Sequence, residues 1–255
     1  MIVTLEDYTG KGSGDPMYAA DLLIFAKNTR INMSPNGLEE IKKWPMEKKM
    51  AELEYAANTI PSSWEFVNYT FYLGGVTRAF SHQCVRTRTA AFAQQTMQIL
   101  DMSKGPGWQY ATGPSVEESP NRKTTYTHAM RVIAAAYSRL IEEGASIEDA
   151  RGVLPTNILT NMVARYDLRS LVGVLQTRLS PRNLGEFRDV ALLMKERVLE
   201  VHPWAALFID RTFDKAAADL DREIKALRDA VPGLKDAATR MHKLVDSMRR
   251  KSVDG

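Results

Sequence analysis

The segment that decides the fold and the chemistry is residues 83–98, which read QCVRTRTAAFAQQTMQ. It has no glycine, proline or acidic residue, yet it carries two arginines, four glutamines and three threonines. Arg86 and Arg88 are two positions apart and cannot share one helix face, so either they contact different partners or the helix ends there. Guanidinium groups suit phosphates, and amides and hydroxyls suit sugars and base edges. The segment therefore indicates an anionic, planar ligand, with a solvated basic patch as the alternative.

The composition is that of an ordinary soluble protein and excludes several classes. Of the 255 residues, 44% are hydrophobic and 25% are charged. A chain of this length and composition can form a hydrophobic core without disulfides or metal ions to stabilise it. The single cysteine excludes a disulfide framework and a CxxC metal site and fits a reducing compartment. No apolar run reaches the length of a membrane span and no signal sequence is visible, so we expect a cytoplasmic protein. The net charge of +3 is mild and neither demands nor excludes nucleic acid, and we expect no nucleic-acid partner.

Hydrophobic periodicity predicts strands and helices in the first half of the chain. Residues 66–73 alternate between apolar and polar, which is typical of a strand, and residues 1–5 form a second short strand. A helix over 76–90 should carry the two arginines near its C-terminal end, and 96–102 is a possible strand. The segment 103–122 is rich in Gly, Pro and Ser, so we expect a functional or mobile loop.

The second half of the chain is predicted to be mostly helical. The segment 158–166 stays ambiguous between strand and helix. The last two helices are amphipathic, heptad-like and form a C-terminal appendage. Helices are expected over residues 123–143, from Asp167 as N-cap, from Ser180-Pro181, over 213–230 and over 234–250.

The order of strand, helix, Arg-x-Arg and polar segment resembles the flavin-dependent thymidylate synthases, whose signature is RHRxxSxNxxSxR. Only the two arginines of the signature are identical here, and the serine-to-threonine exchange at Thr96 is chemically close. The signature positions are occupied, in order, by Arg86, Thr87, Arg88, Ala91, Ala93, Thr96 and Gln98.

Other motifs of that family occur in the same order and at compatible spacing over residues 1–210. The family has an arginine three residues before Leu-Pro, then Asn-x-Arg-Ser-Leu at a helix start, then a further arginine and a glutamate. It also has an acid before its Phe-Thr-Phe strand and a glutamine three residues before the first signature arginine. The corresponding residues here are Glu65, Gln83, Arg151, Asp167-Leu-Arg169-Ser170-Leu171, Arg178 and Glu186.

The resemblance implies an α+β fold in which mixed helices pack on a small central antiparallel sheet. The catalytic domain would span residues 1–210 and a helical extension residues 211–255. The protein would be a homotetramer with active sites shared between subunits. Reduced FAD would supply a hydride, methylenetetrahydrofolate a carbon for C5 of a pyrimidine nucleotide, and NADPH the electrons for the flavin.

By position, the resemblance assigns two sets of residues and no metal. Arg178 would bind the base and stabilise negative charge on the ring as C5 becomes nucleophilic, and Thr96 is the second residue assigned to catalysis. Four arginines, at 86, 88, 151 and 178, should converge on one pocket. The nucleotide would contact Gln83, Gln94, Gln95, Thr96, Gln98 and Arg151, with Arg151 on its phosphate. The flavin would contact Thr29, Ser62, Arg86, Thr87, Arg88, Asp167, Gly173 and Arg182.

The departures from the signature leave the substrate open. Thr87 replaces a histidine, Ala93 an asparagine, Gln94 an acid and Gln98 an arginine. Loss of a cationic phosphate ligand removes a charge-assisted hydrogen bond worth about 1.5–3 kcal/mol. Conversion of dUMP to dTMP is the first expectation. A variant acting on dCMP or UMP, or transferring a hydroxymethyl group, is the alternative, and a non-catalytic paralogue that binds nucleotide or flavin is the second.

Cysteine and histidine are not assigned to the chemistry. Cys84 lies in an apolar segment without the motif of the cysteine-dependent thymidylate synthases, so we interpret it as a structural thiol. The four histidines lack metal-ligand spacing.

Overall fold

The computed structural model describes residues 1–31, 34–102, 108–180, 185–210 and 213–254. The chain divides into two compact units, each built from several stretches. The first unit consists of Met1–Asp7, Tyr69–Tyr166 and Asn183–Met194, and the second of Tyr8–Asn68, Asp167–Arg182 and Lys195–Gly255.

The sheet has four antiparallel strands in the order β1-β2-β4-β3. In β2 the side chains of Tyr69, Phe71 and Leu73 are buried and the residues between them are partly exposed, which is the alternation expected of a strand with one face on the core. The strand predicted at 66–73 is thus confirmed. The strand bounds are β1 (Ile2–Tyr8), β2 (Asn68–Thr77), β3 (Ala90–Gln94) and β4 (Leu159–Asp167).

Helices make up most of the rest, so the α+β class is confirmed. A 3-10 helix over Pro61–Phe66 precedes β2. The α-helices are α1 (Tyr18–Asn28), α2 (Gly37–Lys42), α3 (Met46–Thr59), α4 (Arg78–Cys84), α5 (Pro114–Glu117), α6 (Pro120–Glu142), α7 (Ile147–Ala150), α8 (Leu168–Arg178), α9 (Glu186–Val201), α10 (Ala206–Ile209), α11 (Phe213–Ala230) and α12 (Lys235–Asp254).

The first unit is organised by the buried face of the sheet. Tyr166 on β4 lies against the rings of Phe71 (centroids 6.4 Å apart) and Phe92 (5.8 Å). The Tyr166 hydroxyl and the Cys84 thiol are 3.1 Å apart and buried, which agrees with a structural role for the cysteine. The core therefore joins α4 and β3 to the centre of the sheet.

The second unit has a helical core around α1, α3 and α10. The Trp64 and Phe208 rings meet edge to face with centroids 5.1 Å apart. The Lys49 ammonium donates to Asp21 Oδ2 at 2.8 Å, and both side chains are buried. This ion pair holds α3 against α1, because separating the two helices would leave a buried charge without its partner.

The helix predicted over 76–90 and the strand predicted over 96–102 are wrong. The helix ends at Cys84, and the strand that follows is β3, which pairs with β4 so that Ala90 lies opposite Tyr166 and Gln94 opposite Met162. Thr87 is β-branched and weakens a helix. Pairing with β4 adds backbone hydrogen bonds that a continued helix would not make, so a long-range contact decides the structure.

Other predictions are confirmed with shifted bounds. The ambiguous segment 158–166 is β4, Asp167 caps α8, and the helix expected over 123–143 is α6, which starts earlier because Ser119 caps it. The loop expected over 103–122 contains α5 and the start of α6, and residues 103–107 lie outside the described residues. Pro181, expected at a helix start, also lies outside them.

The two C-terminal helices are confirmed as α11 and α12, which pack as an antiparallel hairpin. Asp221 and His242 are 2.8 Å apart across it. The boundary near residue 210 stays a prediction. In the described part of the chain, no helix is long and apolar enough to cross a membrane.

Candidate functional site

The turn between α4 and β3 presents Arg86 and Arg88 on exposed backbone. The Arg86 N–H donates to the Gln83 carbonyl (3.3 Å) and the Thr87 N–H to the Cys84 carbonyl (3.2 Å), which closes the helix. Of the two interpretations of the Arg-x-Arg spacing, the ending of the helix is confirmed. Both arginine side chains are exposed, so an anion could reach them.

The start of α4 is fixed by Thr77 and Glu186. The Thr77 hydroxyl accepts from the Phe80 N–H at 3.0 Å as the helix N-cap. The Glu186 carboxylate accepts from the Thr77 N–H at 2.7 Å and from the Thr77 hydroxyl. Because a carboxylate and a cap both act on the first turn, the position of this turn is well determined.

Two glutamines within the signature segment, Gln94 and Gln95, are fixed by neighbouring elements. The Gln94 amide donates to the Ser81 hydroxyl at 2.7 Å. The Asn161 amide donates to Gln95 Oε1 at 3.1 Å, and Asn161 Oδ1 accepts from the Gly75 N–H at 2.9 Å. Gln94 is therefore joined to α4 and Gln95 to β4. Gln83 is exposed in the last turn of α4.

Arg78 is a site residue that the sequence analysis missed. It lies in the first turn of α4, its Nε donates to Met97 Sδ at 2.7 Å, and its guanidinium donates to the Gln95 carbonyl at 3.2 Å. Burial lowers the pKa of Arg78, and the positive charge of Arg151 lowers it further. An arginine in the first turn of a helix opposes the helix dipole, and that was the signal available in the sequence.

Glu148 contacts both Gln98 and Arg151. Its carboxylate accepts from the Gln98 amide at 2.9 Å and lies 3.5 Å from the Arg151 guanidinium. Thr96 stands next to them, since its hydroxyl accepts from the Gln98 N–H at 3.0 Å. We call Arg78, Gln95, Gln98, Glu148 and Arg151 the arginine cluster. In it, the Arg78 and Arg151 guanidinium groups repel one another, and the Glu148 carboxylate lies against Arg151.

The second unit carries other predicted residues, among them Asp167, which is the N-cap of α8, and Gly173 and Arg178, which lie on that helix. The Asp167 carboxylate accepts from the Ser170 N–H (2.7 Å) and hydroxyl (2.9 Å), so it caps the helix. Gly173 is exposed, and a Cβ there would meet no atom within 4 Å. Arg178 ends the helix, where a cation is favoured by the dipole.

Thr29 and Ser62 lie at the ends of neighbouring segments of the second unit. The Thr29 hydroxyl donates to the Ala26 carbonyl at 2.7 Å, at the end of α1. Ser62 is exposed in the 3-10 helix that follows α3. Arg182, the remaining predicted flavin contact, lies outside the described residues.

A cavity of about 430 Å³ opens in the second unit, and its lining includes Arg30, which follows Thr29, and Ile60, two positions before Ser62. The buried Lys27 ammonium is paired with Glu52 and lies 4.7 Å from the centroid of the Tyr55 ring. Burial lowers the pKa of Lys27. The volume is within the range of ligand pockets, about 300–1,000 Å³. The lining residues are Lys27, Arg30, Ile31, Ala51, Glu52, Tyr55 and Ile60.

The structure brings some predicted residues together and leaves others apart. Gln95, Gln98 and Arg151 meet in the arginine cluster, whereas Arg86 and Arg88 stay in the exposed turn. Three of the four arginines expected to converge belong to the first unit, and Arg178 belongs to the second. Their convergence stays a prediction.

Comparison with known proteins gives one consistent result. The family model of the thymidylate synthase complementing protein (Thy1) matches residues 5–204. The chain is 33% identical over 139 residues to a flavin-dependent thymidylate synthase of Geobacter sulfurreducens, covering 54% of this chain and 60% of that protein. It is 28% identical over 201 residues to the enzyme of that name from Clostridium tetani, with coverages of 71% and 78%. For the one from Pyrococcus furiosus the identity is 27% over 213 residues, with coverages of 80% and 84%.

Proposed function

Because the chain belongs to the family of thymidylate synthase complementing proteins, we propose that it transfers a one-carbon unit to C5 of a pyrimidine nucleoside monophosphate, with methylenetetrahydrofolate as carbon donor and FAD as cofactor. Methylation of dUMP to dTMP is the reaction we place first. The observation that carries this proposal is the arginine cluster, since it joins residues of the signature segment to Arg151 around a site suited to an anion.

The arginine cluster is the proposed phosphate site. Burial lowers the pKa of Arg78, and the like charge of Arg151 lowers it further, so the two guanidinium groups interact. A phosphate dianion between them would remove this repulsion and accept charge-assisted hydrogen bonds from both. Gln95 and Met97 hold the Arg78 guanidinium in place beforehand, so little freedom is lost on binding.

The pyrimidine ring is assigned to Arg178, with Gln83, Gln94 and Thr96 at the sugar and base edges. A guanidinium group beside the ring stabilises the negative charge that develops as C5 becomes nucleophilic. Thr96 keeps a hydroxyl proton to donate, because its oxygen accepts from the Gln98 N–H. No protein nucleophile is required, which agrees with the buried position of Cys84.

A cavity in the second unit supports the proposal that a dinucleotide binds. The cavity offers the charge of Arg30 for a phosphate and the Tyr55 ring for a planar group, while the charge of Lys27 is balanced by Glu52. Gly173 leaves open space on α8, where a larger side chain would obstruct a close ligand. We assign the flavin to Thr29, Ser62, Arg86, Thr87, Arg88, Asp167, Gly173 and Arg182. When bound and reduced, FAD supplies a hydride, and NADPH is the proposed source of its electrons.

The altered signature supports a second candidate, in which the nucleotide is dCMP or UMP or the product carries a hydroxymethyl group. Gln98 stands where the family has an arginine, and its amide is bonded to Glu148. The cluster therefore has less positive charge than the usual signature provides. A homotetramer with shared active sites and a cytoplasmic location are further proposals that follow from the family and from the single cysteine.

Product analysis tests these candidates. The full chain is incubated with FAD, NADPH or dithionite, methylenetetrahydrofolate and each of dUMP, dCMP and UMP, and the nucleotides are weighed by mass spectrometry. A methyl group on dUMP supports the first candidate, and a change in another nucleotide or a hydroxymethyl group supports the second. A colourless protein that takes up no FAD and changes no nucleotide would contradict both and favour a binding paralogue.

A further inference from the structure

The hairpin of α11 and α12 lies outside the residues matched by the family model, and the proposed chemistry does not use it. Its apolar residues are spaced four and three apart, which is a heptad pattern. The a positions are Ile224, Val231, Ala238 and Val245, and the d positions are Leu220, Leu227, Leu234 and Met241.

The two rows of this pattern differ in burial. Three of the four a residues, Ile224, Ala238 and Val245, are each 4% exposed and form the inner core of the hairpin, whereas Val231, in the connection between the two helices, is 45% exposed. The four d residues are between 41% and 55% exposed, and Leu244 beside them is 64% exposed. Two helices thus bury one row and leave a second apolar row half open. We call the row of Leu220, Leu227, Leu234 and Met241 the open seam. A continuous apolar row of this kind marks an interaction surface, unlike scattered exposed leucines.

Charge favours a second copy of the same hairpin as the occupant. By sequence, α11 has five acidic and four basic residues, whereas α12 has three acidic and six basic residues. Two copies of α12 side by side would repel, but α11 of one copy against α12 of the other joins helices of opposite net charge. One two-fold axis satisfies both contacts at once, because each hairpin contains one helix of each kind. We propose that two hairpins pair through their open seams into an antiparallel four-helix bundle.

The register of the bundle follows from the hairpin itself. Asp221 and His242 are in contact and so lie at the same level. A two-fold axis parallel to the helices leaves each residue at the same height along the bundle in both copies. Leu220 then lies beside the partner's Met241, and Leu227 beside the partner's Leu234.

Disulfide cross-linking of the full chain tests this pairing. Leu220→Cys protein is mixed with Met241→Cys protein and oxidised, so that a mixed disulfide can form only between two chains. The native Cys84 is fully buried and does not compete. We expect about tenfold more mixed dimer than in a control mixture of Ala226→Cys and Thr239→Cys, because a disulfide needs Cα atoms within about 7 Å. The control positions are exposed on the same two helices. A yield equal to the control would overturn the proposal.

A charge placed in the open seam separates specific pairing from random collision. Adding Leu227→Glu to both cysteine variants should reduce the mixed dimer to the control level, whereas adding Ala226→Glu should leave it unchanged. Both positions are exposed, so neither change should unfold the hairpin. Equal yields with Leu227→Glu and Ala226→Glu would also overturn the proposal. The experiment needs neither flavin nor nucleotide, so its outcome is independent of the proposed reaction.

Discussion

Replacement of Arg78 by glutamine should weaken dUMP binding by about tenfold to a hundredfold. The variant removes one charge-assisted hydrogen bond to the phosphate, worth about 1.5–3 kcal/mol, and about 1.4 kcal/mol corresponds to a factor of ten in affinity. Glutamine can still donate to the Gln95 carbonyl, so the segment around β3 should keep its position. The change therefore tests the charge of Arg78 more than its packing.

The magnitude depends on Arg78 and Arg151 acting on the same anion. Arg151 contributes to the lowered pKa of Arg78, so the two charges interact in the free protein. If one phosphate binds to both, the loss in the double variant Arg78→Gln/Arg151→Gln should be smaller than the sum of the single losses. Additive losses would indicate two separate sites.

Isothermal titration calorimetry with dUMP and with deoxyuridine measures this effect. Only dUMP carries the phosphate, so Arg78→Gln should lower its affinity and leave the weaker binding of deoxyuridine unchanged. Arg139→Gln, which removes an exposed arginine of α6 paired with Glu143, is the control for net charge. Unchanged dUMP affinity, or equal losses for both ligands, would refute the assignment of Arg78 to the phosphate.

Three further predictions concern the base, the signature and stability. Arg178→Ala should reduce turnover by at least about a hundredfold with the circular dichroism spectrum unchanged, because it removes the charge that we propose beside the ring; unchanged activity would exclude its base-binding role. Gln98→Arg should tighten dUMP binding by up to about tenfold, less than a full cation would give because Glu148 will pair with it; no change in calorimetry would mean that Gln98 faces another group. Burial lowers the pKa of His202 from 6.5 to about 4, so the unfolded chain takes up the proton first as the pH falls. Stability should then be complete above pH 6.5 and about 3 kcal/mol lower at pH 4; urea unfolding of wild type and His202→Phe at both pH values should show a steeper loss for wild type, and equal losses would contradict the assignment.

Local sequence rules predicted the elements whose structure depends on near neighbours. The alternation around Tyr69 and Phe71 predicted β2 because one face of that strand lies on the core. Asp167 predicted the start of α8 because a carboxylate can accept from the Ser170 N–H three residues later. Such signals depend on residues only a few positions apart, and at these two places no contact with a distant part of the chain overrides them.

The failed predictions concern contacts between distant residues. The helix over 76–90 was expected to continue, but pairing of β3 with β4 joins residues more than 60 positions apart and ends it. Arg78 was missed for a similar reason. The one local signal, a cation in the first turn of α4, does not identify its partners Gln95 and Met97 or the neighbouring charge of Arg151, which lie much farther along the chain.

The exchange of the signature arginine for Gln98 changes how the proposed nucleotide site gains its affinity. Glu148 lies between Gln98 and Arg151 and offsets part of the positive charge that Arg78 and Arg151 provide. With two guanidinium groups and one carboxylate, the cluster has a formal charge of +1, which only half balances a phosphate dianion. An arginine at position 98 would restore the balance. If the proposed site binds the nucleotide, we expect the phosphate to contribute less to binding than in a chain with the full signature, and contacts to the sugar and base to contribute more. These are the parts of the molecule in which dUMP, dCMP and UMP differ, so the substitution at Gln98 shifts recognition toward the groups that decide which nucleotide is accepted.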